Sequence, residues 1–352
     1  MPANVENMFS VKETPWHGLG SVINEAPTIQ EGITLAGLAW DVVVQSLLRP
    51  DNTNVDDFAK VFVRSDTNAT LAVVGPNTHP LQNSHAFDFF QPFLDNKECS
   101  LETAGSLDEG RKIWVMAKIQ RPNSEIVKGD EVVKFVLLSN SHDGTTAVRV
   151  GYTPIRVVCA NTLAMAHADK ASKLIRVRHS KEVKNNVDNI RDIMNVADEA
   201  FEATAEQYRF LASRQINQAD LRKYVKLVFK LDEDDKKVST RSINVLNEIL
   251  KSHTDKIQLA QVRELVANME DEKRKESESI LGSVLANMEI GRGTDNMASR
   301  GTYWTAYNAV NEYLNYSKGN SVGTRMNSLW FGANAKMNLD ALEIASHMAN
   351  AA

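Results

Sequence analysis

Between positions 149 and 181 the chain gathers Arg149, Tyr152, Arg156, Lys170, Lys173, Arg176, Arg178 and Lys181, the group of side chains with the clearest chemical direction. Seven cations in one stretch suit a polyanion. Phosphates repel one another and are heavily hydrated, so a strand binder needs several cations along one groove, and sequence-blind binding adds aromatic faces for the bases. Tyr152 is the aromatic of this island, and His167 and His179 are interspersed. In the alternating run Leu174 to Arg178, Arg176 and Arg178 share one strand face while Ile175 and Val177 turn inward. The bland alternative is a solvated face, or salt bridges to the acidic residues that precede the island.

Other constellations are weaker. His142-Asp143-Gly144 pairs an imidazole with a carboxylate, the combination used for proton transfer or metal ligation. Its context between two strands reads instead as a turn, in which Asn140 to Gly144 supply positive φ angles and bonds from side chain to backbone. His17, His79 and His85 lack ligand spacing, such as two histidines one turn apart on a helix. Cys99 and Cys159 lie far apart without histidine or cysteine neighbours at metal-binding distance. Pro15-Trp16-His17-Gly18-Leu19-Gly20 has neither the glycine spacing nor the lysine of a phosphate loop. Trp16 there reads as an anchor in the core or at an interface. Tyr303, Trp304, Tyr307, Tyr313 and Tyr316 crowd one helix, where a core stripe and a stacking platform compete as readings, and Arg292, Arg300 and Arg325 flank it. No catalytic residue, metal site or cofactor is expected.

The whole chain has 352 residues and a formal net charge of -5, unevenly placed. Residues 1–140 hold 11 basic against 18 acidic side chains, residues 141–191 hold 9 against 4, and residues 192–352 hold 20 against 23. A basic island in an acidic protein argues against indiscriminate nucleic-acid binding over the whole surface. No stretch approaches the roughly 20 apolar residues of a membrane span, and two distant cysteines suit a reducing compartment, so a cytoplasmic protein, away from membranes, is expected.

Local patterns give the scaffold. An irregular opening arm leads to a strand near Trp40 to Leu48. A hairpin follows from Ala59–Arg64 and Thr70–Val74, then a helix from His85 to Leu94 capped by Ser84. Lys112–Ile119, Val132–Leu138 and Thr146–Tyr152 read as three antiparallel strands, with Pro154–Val158 adding a fourth and Asn161 capping a helix from Leu163 to Leu174. Beyond Val187 the period moves toward 3.6. Val187, Ile190, Met194, Ala197, Phe201, Ala205 and Tyr208 line one face of a long helix. Further helices fall at Gln218–Lys230, Ser239–Ser252, Leu259–Ala286 with a break, Thr302–Tyr316 and from Leu339 to the end. The expected class is α+β, with a strand-rich domain over 1–186, carrying the basic segment 149–184, and a helical region over 187–352.

Three blocks resemble one family in the same order. They are Pro15 to Gly20, the stretch from Ser139-Asn140-Ser141-His142-Asp143-Gly144 through Arg156-Val157-Val158-Cys159-Ala160-Asn161-Thr162-Leu163, and Gly301-Thr302-Tyr303-Trp304 through Asn311-Glu312-Tyr313. The chain is identified on them as a member of the phage/plasmid-like proteins, catalogued mainly as a bacterial and phage domain of unknown function. Asn311 and Asn315-Tyr316 depart from the Thr and Asp-His that the resemblance leads one to expect near Glu312, which puts a metal or catalytic role for that block in doubt. The family's setting, together with the order of hairpin, further strands and helix, is similar to phage single-strand annealing proteins. The resemblance thus implies a non-enzymatic, homo-oligomeric protein that binds single-stranded DNA and assists recombination or replication. The competing expectation is a structural or protein-interaction role without nucleic acid, and a hydrolase built on His142 and Asp143 stands third.

Overall fold

A computed structural model describes residues 5–12, 20–156, 161–162, 175–188, 197–231, 277–318, 328–329 and 332–352. Its centre is a sheet built on four long strands: β6 (Cys99–Leu107), β7 (Lys112–Ile119), β9 (Asp130–Ser141) and β10 (Val148–Arg156). Together with β1 (Val5–Val11), β2 (Ser21–Ile23) and β11 (Asn161–Thr162) they run in the order β11-β10-β9-β7-β6-β1-β2. A short β12 (Ile175–Val177) lies on β10, and β8 (Ser124–Val127) lies on β9. All pairs are antiparallel except β1 with β2.

Register sorts the two faces. Val115 lies opposite Leu138, and Ala117 opposite Val136, which together with Val148 and Val150 form the floor of a first core. One residue along, Trp114, Met116, Phe135 and Leu137 are buried on the other face. The first core is roofed by α1 (Ile29–Leu35), α2 (Asn83–Asp88), α3 (Gln91–Asp95) and a separate antiparallel sheet of β3 (Val42–Ser46), β4 (Lys60–Arg64) and β5 (Thr70–Val74). Thr28 and Glu31 close a reciprocal capping box at the start of α1.

The small sheet is locked to β1 through Arg64. Its guanidinium donates to both Glu6 carboxylate oxygens at 2.8 and 2.7 Å, to both Asp66 oxygens at 3.0 and 2.8 Å, and to the Glu109 carbonyl at 3.1 Å. The Trp40 ring lies 4.4 Å beneath it. A lysine keeps the charge but lacks the planar fork, so Arg64→Lys is expected to cost about 2 kcal/mol. A denaturation midpoint unchanged from the wild type would contradict this account of the lock.

A second core joins α5 (Ala197–Ser213), α6 (Gln218–Phe229), α7 (residues 277–290), α8 (Tyr303–Glu312) and α9 (Ala333–Ala351). Ile126 of β8 and Val132 of β9 also belong to it, so these helices close on one end of the large sheet. Among the described residues, no helix is long and apolar enough to cross a membrane.

The α+β class holds, with sheets in the N-terminal half and helices mostly C-terminal. Several elements differ from the sequence reading. The helix expected over His85–Leu94 is two helices, because Pro92, in the first turn of α3, lacks an amide hydrogen to continue α2. The residue at the start of α2 is Gln82, not Ser84, and the Gln82 amide is spent on both backbone groups of Val42. Pro154 to Arg156 continue β10 rather than starting a fourth strand, and Asn161 lies in β11 instead of capping a helix. The apolar stripe from Val187 to Tyr208 divides: Val187, in α4 (Val183–Asp188), packs in the first core, whereas Phe201, Ala205 and Tyr208 pack in the second. The opening arm begins as β1, paired with β6. Residues 13–19, 163–174 and 239–252 lie outside the described residues, as does 259–276 of the helix expected over Leu259–Ala286.

Candidate functional site

The basic island is organised by strand register. Arg149 on β10 stands opposite Ser139 of β9 on one side and opposite Arg176 of β12 on the other. Directly opposed residues of an antiparallel pair share a face with Cβ atoms about 5 Å apart, so β10 and β12 hold two arginines side by side. Arg176 and Arg178 are exposed and flank Val177, which is buried in the first core. Arg149 is half-buried, and burial together with the neighbouring Arg176 charge lowers its pKa from the ordinary arginine value. Lys181 is exposed in the turn before α4.

The other candidates fall elsewhere. Tyr152 is opposite Val136 and packs against both cores, and burial pushes its phenol well above the usual range. Arg156 pairs through its backbone with Val132 and Asn161. Its side chain, like Lys170 and Lys173, lies outside the described residues.

At the end of this strand group is a cavity of about 470 Å³. Val73, Val74 and Thr78 line it together with Asp143, Thr146 and Arg178. Gly144, at φ +71°, brings the turn after β9 against β5, where an added Cβ would lie 3.6 Å from Val74 Cγ1. Asp143 holds that turn: its Oδ1 accepts from the Ser141 hydroxyl, the Thr145 amide at 2.9 Å and the Thr145 hydroxyl at 2.5 Å. Burial would raise its carboxyl, but these hydrogen bonds outweigh burial and hold it below the usual range. Nothing in the local sequence marks the cavity, since β5, the turn and the segment after β12 meet through tertiary packing.

His142 is buried away from the cavity. Its Nε2 donates to Asn83 Oδ1 at 2.9 Å, and its Nδ1 accepts from Asn140 Nδ2 at 3.3 Å, an assignment fixed by the Asn83 amide, which donates to the Leu38 and Trp40 carbonyls. The edge of its ring meets Trp40 at 5.5 Å. A neutral imidazole with both nitrogens engaged and no open side cannot reach a substrate. The catalytic reading of His142 and Asp143 therefore gives way to the turn reading.

The aromatic stripe is core. Tyr303, Trp304 and Tyr307 are buried, Trp304 lies 4.9 Å from Tyr208, and the Tyr307 hydroxyl donates to Asn338 at 2.7 Å. Asn308, Asn311 and Asn315 are buried, each amide donating to the carbonyl four residues earlier at 2.8, 3.0 and 2.8 Å. The last of these enters a π-helical turn, Tyr313–Ser317, closed by the Lys318 amide on the Tyr313 carbonyl. Glu312 accepts from the Arg292 amide at 2.9 Å, and the Arg292 guanidinium covers Tyr316 at 3.7 Å. Among the described residues, no three His, Cys, Asp or Glu side chains come together to hold a metal.

Fold and site thus define an α+β protein with a paired-arginine sheet edge beside a polar cavity. The family model described as a domain of unknown function, DUF932, matches residues 70–335, and the chain belongs to that family. The matched span runs from β5 into α9 and includes both the arginine pair and the cavity. No curated protein and no solved structure matches the chain.

Proposed function

We propose that the protein binds single-stranded DNA without enzymatic chemistry and assists strand annealing in phage or plasmid recombination or replication, as a homo-oligomer in the bacterial cytoplasm. The observation that carries the reading is the register of β10 and β12, which sets Arg149 against Arg176 with exposed Arg178 two residues on. Like charges directly opposed in a sheet repel, and a bridging phosphate converts that repulsion into attraction. Arg149, Arg176 and Arg178 serve as phosphate contacts, with Lys181 extending the track. Tyr152 contributes to packing more than to stacking, because both cores hold it. Annealing needs no bond to form or break; neutralising the backbone lowers repulsion between two strands while their bases stay available to pair.

The test is fluorescence anisotropy with single- and double-stranded oligonucleotides over a salt series. The wild-type protein should prefer single strands and weaken as salt rises. The Arg176→Ala/Arg178→Ala variant should bind about tenfold more weakly, with the slope of log affinity against log salt reduced by about 1.4, the share of two phosphate contacts on a single strand. Unchanged affinity and slope would remove these residues from the site. A specific feature favours the second reading, a protein-interaction role: Val43, Val44 and Val73 of the small sheet, with Leu48 and Phe58 beside it, are exposed. Assembly that resists salt, in a protein that binds no oligonucleotide, would support that role instead.

A further inference from the structure

We infer that the cavity beside Arg178 seats one nucleotide, with the phosphate on Arg178 and the base inside; the inference rests on the strand-binding reading, since it makes the cavity the anchor for one residue of the bound strand. The volume of about 470 Å³ falls within the roughly 300–1,000 Å³ of clefts that take small ligands. Its walls are of two kinds. Val73, Val74 and Ala147 offer apolar surface for a flat ring, whereas Thr78, Thr146 and Asp143 offer hydrogen-bonding groups for its edge. A base needs both, because its faces are apolar and its rim is polar.

Charge sets the orientation. The Asp143 carboxylate is fixed by Ser141 and Thr145 through Oδ1, and none of those bonds uses Oδ2. An ionised carboxylate only accepts, so it repels a phosphate and welcomes a base N–H. Arg178 is the exposed cation of the lining, and it enters no ion pair among the described residues although Asp143 lines the same cavity. A phosphate is therefore held at Arg178, on the side that continues toward Arg176, while the base points to Asp143. Deoxyguanosine 5′-monophosphate is the most informative probe, because its base presents an amino and an imino donor on one edge.

The experiment measures binding of that nucleotide, of inorganic phosphate and of a single-stranded oligonucleotide to the full chain by calorimetry. The nucleotide should bind more tightly than phosphate, and Ala147→Phe, which fills the apolar wall, should weaken it at least tenfold. Arg178→Ala, an exposed site with little bearing on folding, should do the same and carries the test if the phenylalanine variant unfolds at a lower temperature. Arg149→Ala/Arg176→Ala should weaken the oligonucleotide but leave the nucleotide unchanged. Absent nucleotide binding, equal binding of phosphate, or binding insensitive to Arg178→Ala would overturn the inference. If the oligonucleotide still binds in a salt-sensitive way in those cases, strand binding stands without the pocket. A nucleotide site that obeys the two variants in a protein binding oligonucleotides no better than mononucleotides would refute strand binding and keep the pocket.

Discussion

His142→Ala is expected to destabilise the protein by roughly 3–5 kcal/mol, because it empties a fully enclosed site and takes a hydrogen-bond partner from two buried amides at once. Asn83 Oδ1 loses its donor, Asn140 Nδ2 keeps the Leu81 carbonyl but loses its second acceptor, and Trp40 loses the ring in T-shaped contact with it. The damage spreads beyond one turn. Asn83 opens α2 and holds the carbonyls of Leu38 and Trp40, while Asn140 donates to the Leu81 carbonyl, so the histidine ties β9 to the roof of the first core. The same residue gives the stability a direction with pH. Burial, with help from the His179 and Arg64 charges, lowers the His142 pKa to about 3, against about 6.5 in an unfolded chain. Below pH 6.5 the unfolded state takes up a proton that the folded state refuses until about pH 3, so stability falls as pH falls through that window. The full effect is on the order of 4–5 kcal/mol. His85 and His179, also lowered first by burial, act in the same direction. Denaturation midpoints followed from pH 7 to pH 4 should drop steeply for the wild type and less steeply for His142→Gln. Equal slopes in both proteins would mean that His142 is not held neutral in the fold.

That histidine illustrates what the chain's own pattern can carry. Ser139 to Gly144 reads as a turn because Asn, Asp and Gly favour the backbone angles of tight connections; in the structure Ser139 to Ser141 are the last residues of β9, the turn begins at His142, and within Asn140 to Gly144 the positive φ falls on Gly144 alone. Full burial of its imidazole is a different matter, set by Asn83 and Trp40 from distant parts of the chain. Strands show the same division. Lys112–Ile119 announces itself through a run of β-favouring apolar residues, whereas β6, Cys99 to Leu107, mixes Ser, Thr, Gly and Glu with apolar residues and is covered along both faces, so no period of two survives. In β12 the alternation of Ile175, Arg176 and Val177 predicts the exposed arginines, but their pairing with Arg149 is a long-range register that no local spacing contains. The aromatic run at Tyr303 to Tyr307 has helical spacing in either reading. Only the partners, Tyr208, Asn338 and Asp130, decide for the core.

Trp304→Ala is the second large effect expected, again about 3–5 kcal/mol, and it reports on how the two halves of the protein depend on each other. The indole is fully buried, packed against Tyr208 at 4.9 Å and Tyr307 at 6.0 Å, and its Nε1 donates at 2.8 Å to a carboxylate oxygen of Asp130, the buried first residue of β9. A hydrogen bond to a buried carboxylate is worth about 1.5–3 kcal/mol, more than a neutral pair, so Trp304→Phe alone should lose a large part of the effect while preserving most of the packing. Combining Trp304→Phe with Asp130→Asn separates the terms. If the bond links α8 to the sheet, the double variant should lose about 1.5 kcal/mol less than the sum of the singles; strictly additive losses would leave the indole as packing alone. The outcome bears on the arginine pair. Asp130 begins the strand whose other end, at Ser139, lies beside Arg149, and Val132 of the same strand sits in the helical core. Helices that grip one end of β9 help to fix the register that sets Arg149 against Arg176. On the strand-binding proposal, a Trp304 variant destabilised but still folded at low temperature should therefore bind oligonucleotide there as the wild type does and lose that binding on warming, in step with the unfolding of α8.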